Sequence, residues 1–468
     1  MSAARGSPLL LALALGCVAP GGAPPAPRLP PLADAAGRPA VIVLVSVAGL
    51  TAERYLAGDA MPALAALASR GVAAEQLETV AGAGAYPAHA SLVTGVAPAE
   101  HGIVADQLLG ERGVRRAPPS HASQLRAATL WQRVAESGGS VTSLDWPTTT
   151  GAQIASLLPD VTPLRAGERW SALAAAGASV PWLADRLRAA PAAAEQPGPA
   201  RDALLIDLAC AAFEAPPRLL LLRLRGPEPP LVALGPYSAE AAAAFSAVDS
   251  ELVRLLGCAE RTGILPQTAF VVMGDQAFAS VHTALRPNAW LREAGWITPQ
   301  GRWKAFARSN GGSAYVYANE ARTAVQVRKQ LEARADESRA FRVVSADEMI
   351  ERGADPDAWF GLEAEPGFVI ENAADAAPFG AAAAHGSGGA LRGEAGAGTG
   401  LVAFGRGFRR GVRVPRMSQL DVAPSVAALL GVPLEAATGR TLVGVLRLAP
   451  DPADAVAAPP AEATPRGR

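Results

Sequence analysis

Continuous apolar runs alternate with runs of helical periodicity along most of the chain. Runs typical of buried strands lie at Ala40–Val47, Val72–Val80, Ser140–Leu144, Arg218–Leu224, Thr268–Met273 and Leu401–Phe404. Helices are predicted at Met61–Arg70, Ala127–Ser137, Val180–Ala189, Asp202–Glu214, Ser238–Leu256 and within Met417–Leu430. Strands that alternate with helices in this way predict an α/β fold, with a doubly wound and mostly parallel sheet flanked by helices.

The pattern changes near Arg302, where the strands become short and one helix becomes highly charged. The short strands are predicted at Ser313–Tyr317, Phe341–Ser345 and Gly367–Glu371, with helices at Ala321–Ala333 and Ala346–Arg352. We therefore expect a small α/β subdomain at 302–372, inserted into a core formed by 39–301 and 373–448. Residues 18–38 are rich in Pro and Ala and predict a semi-rigid tether, and 449–468 predict a disordered tail.

The first residues have the pattern of an export signal. Arg5 precedes a short apolar run, Pro8–Gly16, which is too short to span a bilayer, and Cys17 follows small residues. This pattern favours a lipoprotein signal at 1–17 with a lipid on Cys17. The alternative is an ordinary signal peptide cut near Ala19 or Ala23. Both alternatives predict an exported protein of the cell envelope or periplasm.

Charge and cysteine content narrow the possible partners. The net charge is −1 over 468 residues, so no basic surface argues for nucleic acid or for an anionic membrane. After the signal, two cysteines remain, Cys210 and Cys258, late in helices that flank one predicted strand. They form either a disulfide or two buried thiols, and the sequence favours neither alternative.

The stretch Val80–Ala105 carries the clearest motif. It reads V-A-G-A-G-A-Y-P-A-H-A-S-L-V-T-G-V-A-P-A-E-H-G-I-V-A, a Gly/Ala loop that enters a helix. Backbone N–H groups at a helix N-terminus point outward and suit an anion such as phosphate.

This stretch resembles the nucleophile loop of the alkaline phosphatase superfamily, in its nucleotide pyrophosphatase/phosphodiesterase branch. That loop reads T-[FY]-P-N-H-x-S-L-V-T-G and then P-x-x-H-G-I. The matching residues are Tyr86, Pro87, His89, Ser91, Leu92, Val93, Thr94, Gly95, Pro98, His101, Gly102 and Ile103. The nucleophile position is Ala85, and the position that the resemblance assigns to phosphoryl-oxygen binding is Ala88.

The resemblance also implies six ligands for two zinc ions. Three positions carry residues that cannot serve or serve poorly, namely Ala48, Val232 and Gln276. Three remnants stay, namely Asp275, His385 and Glu228, of which Glu228 stands for an Asp. No zinc is expected, because neither half-site keeps three protein ligands. His121 is the histidine that remains available as a ligand if a metal site has been rebuilt. The alternative role for Asp275, if it binds no metal, is to cap a turn.

These substitutions favour an exported pseudoenzyme that keeps the alkaline-phosphatase-like fold and acts by binding. A phosphorylated ligand or an envelope protein would be its partner. The alternative is an active metal-dependent hydrolase of phosphodiester, pyrophosphate or phosphonate bonds with an altered metal site. A third alternative, a purely structural lipoprotein, requires that no pocket remains beside the subdomain at 302–372.

Overall fold

The computed structural model describes residues 29–31, 36–58, 60–82, 84–115, 117–391 and 398–448. The predicted signal at 1–17 with Cys17, most of the tether at 18–38 and the tail at 449–468 lie outside these residues.

Strands and helices alternate through most of the described chain. The strands are β1 (Val41–Val47), β2 (Val72–Glu78), β3 (Leu109–Gly110), β4 (Gly113–Val114), β5 (Val141–Trp146), β6 (Ser156–Pro159), β7 (Leu219–Leu224), β8 (Thr268–Gly274), β9 (Ala279–Leu285), β10 (Ala305–Ser309), β11 (Ser313–Ala318), β12 (Phe341–Val344), β13 (Phe360–Ala364), β14 (Gly367–Ile370), β15 (Phe379–Ala381), β16 (Gly386–Ser387), β17 (Thr399–Gly405), β18 (Val412–Val414) and β19 (Met417–Ser418). The α-helices are α1 (Ala52–Leu56), α2 (Pro62–Arg70), α3 (Ala85–Thr94), α4 (Pro98–His101), α5 (Leu130–Glu136), α6 (Trp170–Gly177), α7 (Pro181–Arg188), α8 (Pro199–Ala212), α9 (Glu228–Leu234), α10 (Ala239–Arg261), α11 (Pro287–Glu293), α12 (Ala321–Ser338), α13 (Ala346–Glu351) and α14 (Val422–Leu430).

Within the described residues, the main sheet has nine strands, and its centre is parallel. Strands β8, β1, β7, β5 and β6 lie side by side in this order, each parallel to the next. Strand β17 is antiparallel to both of its neighbours, β8 and β2, and β18 and β19 pair with β2. The predicted α/β class with a mostly parallel sheet is thereby confirmed.

Alternate side chains of β1 enter two apolar cores, one on each face of the main sheet. Val43 and Val45 pack with side chains of α8 and α10, such as Phe245. Ile42 and Leu44 pack on the opposite face with side chains of α3, α5 and α14. Each fully buried aliphatic side chain contributes about 2 kcal/mol to folding, so helices are held on both faces.

Two smaller sheets follow the central strands. Strands β10, β11, β13 and β12 form an antiparallel sheet, which we call the small sheet, and α12 packs against it. Strand β9 pairs with β14, β15 and β16 in a third sheet.

The end of β5 differs from the sequence prediction. The predicted strand ends at Leu144, but β5 continues to Trp146. The strand continues because the pairing with β6 shifts register between Leu144 and Trp146, and Asp145 adopts a left-handed backbone with φ of 59°. Such a bulge turns the side chain of Asp145 relative to the regular pleat.

Cys210 of α8 and Cys258 of α10 form a disulfide, with Cα atoms 5.4 Å apart. Of the two alternatives that the sequence left open, the structure therefore contains the disulfide.

Within the described ranges, no helix combines the length and the apolar character needed to cross a membrane.

Candidate functional site

The carboxyl ends of β1 and β8 bring three of the predicted positions together. Ala48 directly follows β1 and is buried, while Asp275 and Gln276 directly follow β8. The carboxylate Oδ1 of Asp275 accepts hydrogen bonds from the Gly49 N–H at 3.1 Å and the Gln276 N–H at 2.7 Å. Asp275 thus caps two turns, which is the role that the sequence offered for it as the alternative to metal binding.

The second carboxylate oxygen of Asp275 is buried without a hydrogen-bond partner among the described residues. Burial raises the pKa of Asp275 to about 6, although the nearby Arg223 guanidinium favours the ionised form. A buried, partly unsatisfied carboxylate at this sheet edge is costly unless positive charge lies near.

Helix α3 begins at the predicted nucleophile position. Ala85 is its first residue, and the preceding Gly84 offers no side-chain cap. The Asp106 carboxylate takes that place, because its Oδ2 accepts the Ala85 N–H at 3.1 Å and its Oδ1 accepts the Tyr86 N–H at 2.8 Å. Ala88 lies one turn further along α3 and is fully buried. The outward N–H groups expected to face an anion therefore face a carboxylate of the chain itself.

Helix α9 carries the positions Glu228 and Val232. Glu228 is its first residue and receives two hydrogen bonds from Arg225, Nε to Oε2 at 2.6 Å and Nη2 to Oε1 at 3.0 Å. Burial alone would raise the pKa of Glu228, but the Arg225 charge and hydrogen bonds hold it below its usual value. Val232 is 38% exposed and supplies no donor. The carboxylate of Glu228 is therefore bound by Arg225.

His385 lies beside α9, immediately before β16. Its backbone N–H donates to the Val232 carbonyl at 2.8 Å, and its side chain is exposed. Leu231 lies close to both this turn and the β1 end. A Cβ placed on Gly49 would lie 2.4 Å from a Leu231 methyl, and one on Gly386 would lie 2.1 Å from the Leu231 carbonyl oxygen. Leu231 therefore packs its side chain against Gly49 and its backbone against Gly386, the residue after His385.

A buried ionic cluster lies beneath α3 and was missed by the sequence analysis. Arg223 of β7 contacts Asp160 at 3.5 Å with both side chains 2% exposed, and the Tyr86 hydroxyl donates to the same Asp160 oxygen at 2.6 Å. Burial, and then the neighbouring Asp160, raise the pKa of Asp145, and neither of its carboxylate oxygens has a hydrogen-bond partner among the described residues. Arg223 supplies positive charge to this cluster and to Asp275.

A signal for this cluster was present in the sequence. The run Arg218–Arg225 reads R-L-L-L-L-R-L-R, which places Arg223 inside a strand that is otherwise apolar. A guanidinium buried in a central strand needs a carboxylate partner. Asp106 carried no comparable signal, since it lies 21 residues from the N–H group of Ala85 that it caps.

The histidines of α3 and α4 have structural partners. His89 Nδ1 donates to the Ala85 carbonyl at 2.6 Å, and its ring packs edge-on against Trp146 at 4.8 Å. His101 Nε2 lies 2.9 Å from the Ser91 hydroxyl, and burial lowers the pKa of His101 to about 3. His121 begins a short 3-10 turn and pairs with Thr150 through its backbone.

The donor set does not fit the two-zinc site that the family resemblance implies. Ala48 and Val232 have no atoms that could bind a metal ion, and the carboxylate of Glu228 is held by Arg225. In the part of the chain that the structure describes, no group of three or more His, Cys, Asp or Glu side chains could hold a metal ion.

A cavity of about 820 Å³ lies between the main sheet and the small sheet. Its walls include carboxylates from both sides, Glu53 and Glu75 near the main sheet and Glu365 near the small sheet. Arg342 also lines it but is bonded to Glu348 and Glu363. Because a pocket remains beside the small sheet, the purely structural alternative loses the condition that it required.

Solved structures of similar fold each cover 87% of this chain. Human ectonucleotide pyrophosphatase/phosphodiesterase 5 is 17% identical, with a TM-score of 0.64 over 87% of this chain and 99% of that one. The murine protein is 17% identical, with a TM-score of 0.65 over 87% of this chain and 100% of that one. An inactive threonine-to-alanine variant of the murine protein, in complex with AMP, is 18% identical over 87% and 99% of the two chains, with a TM-score of 0.64.

These likenesses define the fold class as alkaline-phosphatase-like α/β. The profile of the family described as Type I phosphodiesterase / nucleotide pyrophosphatase matches residues 42–386. The chain belongs to this family. A comparison with curated proteins finds no significant match.

Proposed function

We propose that this chain is a family member that does not hydrolyse phosphodiesters and acts by binding. The observation that carries the proposal is Ala85 at the first position of α3. A methyl group has no oxygen with which to attack phosphorus, so the covalent route through this position is closed. The engagement of the Ala85 N–H by Asp106 supports the same conclusion.

The metal positions support the loss of hydrolysis independently of the nucleophile. A pair of metal ions in such a site would stabilise the attacking and leaving oxygens. Here Ala48, Val232 and Gln276 cannot replace the implied ligands. The negative charge of Glu228 is compensated by its ion pair with Arg225. We therefore expect no stoichiometric catalytic zinc.

The binding role is better supported for a protein partner than for a phosphorylated ligand. The inactive alanine variant of the murine relative holds AMP, so loss of a threonine does not by itself abolish nucleotide binding in that protein. In this chain, however, Asp106 already occupies the N–H groups of α3, and the large cavity carries Glu53, Glu75 and Glu365. Like charges disfavour a phosphate in both places. An envelope protein is the proposed partner.

Export and a lipid on Cys17 complete the proposal. The Cys210–Cys258 disulfide supports an oxidising compartment, where such bonds persist.

Replacement of Cys17 by Ser should release the protein from membranes. Full solubility of the wild type in the periplasm or medium would refute the lipid anchor.

The proposed function is tested by metal analysis together with an assay on an aryl phosphodiester. We expect less than stoichiometric zinc and no turnover above the uncatalysed rate. Stoichiometric zinc, with turnover that persists through repurification and is abolished by a chelator, would instead establish the active hydrolase with an altered metal site.

A further inference from the structure

The N-terminal turn of α3 is capped from a distance. Asp106 lies after α4, and its two carboxylate oxygens accept the N–H groups of Ala85 and Tyr86. An ordinary N-cap comes from the residue directly before the helix, but that residue is Gly84. The cap on α3 is thus a charged group brought in by the tertiary fold.

Gly84 gives the carboxylate the space to approach. A Cβ placed on Gly84 would lie 2.1 Å from Oδ2 of Asp106, which is far inside van der Waals contact. The backbone φ of Gly84 is −83°, so its conformation does not require glycine. The absence of a side chain at 84 therefore serves the close packing of Asp106.

Charges of both signs act on this carboxylate, since Arg223 lowers the pKa of Asp106 and Glu228 raises it. Burial raises the pKa of Asp106, while the two backbone N–H groups and the Arg223 guanidinium oppose that rise. Arg223 is 2% exposed, and its Nε–H has no hydrogen-bond partner among the described residues. We call the space that the Asp106 carboxylate fills beside the Ala85 and Tyr86 N–H groups the α3 recess. Two helix N–H groups near a buried guanidinium would suit an oxyanion if this carboxylate were absent.

We propose that Asp106 is an internal anion that closes the α3 recess to phosphate ligands. Its carboxylate takes the hydrogen bonds that a phosphate would receive, and its charge repels one. The inference rests on the proposed function, since it describes a site that no longer performs hydrolysis.

The chain offers a matched control for this cap. The buried Asp249 accepts the N–H groups of Ala63 and Leu64, each at 2.8 Å, at the start of α2. Asp249→Asn therefore removes a helix-capping charge of the same kind away from α3. It separates a loss of stability from an effect specific to the α3 recess.

The experiment measures binding of inorganic phosphate to the full chain by calorimetry for wild type, Asp106→Asn, Asp106→Ser and Asp249→Asn. We expect the Asp106 variants to bind phosphate at least roughly tenfold more tightly than wild type, since a charge-assisted interaction replaces a repulsive one. Asp249→Asn should bind as wild type does. Equal affinities for wild type and both Asp106 variants, including no measurable binding to any, would overturn the inference.

Folding of the variants is followed by near-ultraviolet circular dichroism. If both Asp106 variants unfold where Asp249→Asn stays folded, the carboxylate is a structural cap and the inference is overturned. Failure of the proposed function gives a different result. It appears as aryl phosphodiester turnover by the wild type, whereas the phosphate titration compares affinities for a non-hydrolysable anion.

Discussion

Arg225 and Glu228 form a two-point ion pair at the start of α9, with distances of 2.6 and 3.0 Å. Their side chains are 18% and 26% exposed. The pair occupies a position where the family resemblance implies a metal-bound carboxylate, so an internal guanidinium provides the compensating charge.

Arg225→Met should leave Glu228 half-buried and unpaired. We expect the free energy of unfolding to fall by about 2 kcal/mol, a value reduced for partial exposure. Chemical denaturation at neutral pH measures this loss. The double variant Arg225→Met/Glu228→Gln is the control and should recover most of the lost free energy of unfolding. Equal losses in the single and double variants would contradict the view that an unpaired Glu228 charge causes the loss.

Ala85→Thr should restore no hydrolysis. The new hydroxyl would begin α3 without metal ions to activate it, and Asp106 would still hold the adjacent N–H groups. Groups that act as one catalytic unit do not regain their effect singly. Turnover of an aryl phosphodiester with added zinc measures the outcome.

The joint reversion of Ala48, Ala85, Ala88, Glu228, Val232 and Gln276 is the comparison for that experiment. Any recovered rate is expected there and not in the single variant. Zinc-dependent turnover by Ala85→Thr alone would show that a metal site persists.

Cys258→Ala should destabilise the chain by about 4 kcal/mol, the entropic estimate for a loop of this length. The disulfide joins residues 48 positions apart in sequence. Thermal unfolding of the variant and of reduced wild type should agree. Cys210→Ala is the matched control, and a different loss in that variant would indicate a packing effect of one sulfur instead of the bond.

Stability should fall as pH rises from about 4 to about 7, in part because of Asp202. Burial raises the pKa of Asp202 to about 7, in spite of hydrogen bonds from the Arg225 and Gly226 N–H groups. Between pH about 4 and about 7 the folded state keeps a proton that the unfolded chain has released, so stability is greatest below this range. The total effect is at most roughly 4 kcal/mol.

Denaturation of wild type and Asp202→Asn from pH 4 to 8 tests this dependence. The variant should lose the part of the slope that Asp202 carries, while Asp145 and Asp275, whose pKa values burial also raises, should keep the rest. Asp185→Asn removes an exposed carboxylate of α7 and should keep the wild-type slope. A slope unchanged in Asp202→Asn would show that another group carries the proton.

The sequence predicted the central fold well because continuous apolar runs in an α/β chain have few alternatives. The predicted run Thr268–Met273 became β8 almost unchanged. Short strands and helices were harder to predict from the sequence. Strand β9 was missed because its side chains are partly exposed and its residues show no continuous apolar run. Helix α9 was missed because Pro229 and Pro230 occupy its first turn, where proline is tolerated.

For the candidate site, a motif that preserves its register allows positions to be assigned, and these assignments stay predictions. Ala85, Asp275 and His385 were located from neighbouring matched residues. The contacts that decide their chemistry were not predictable, because they join residues far apart in sequence. Gly49 and Asp275 are 226 positions apart, and the cap on α3 comes from beyond α4. Composition and periodicity do not report such pairings.

The position of β17 determines when the fold can be completed during synthesis. Among the described residues, every strand that pairs with β2 comes after residue 398, and β17 joins β2 to β8. A nascent chain therefore carries β2 without a partner until the last part of the protein has emerged. Such non-local pairing slows folding. A chain interrupted before β17 would leave β2 unpaired and one edge of β8 open, which favours aggregation.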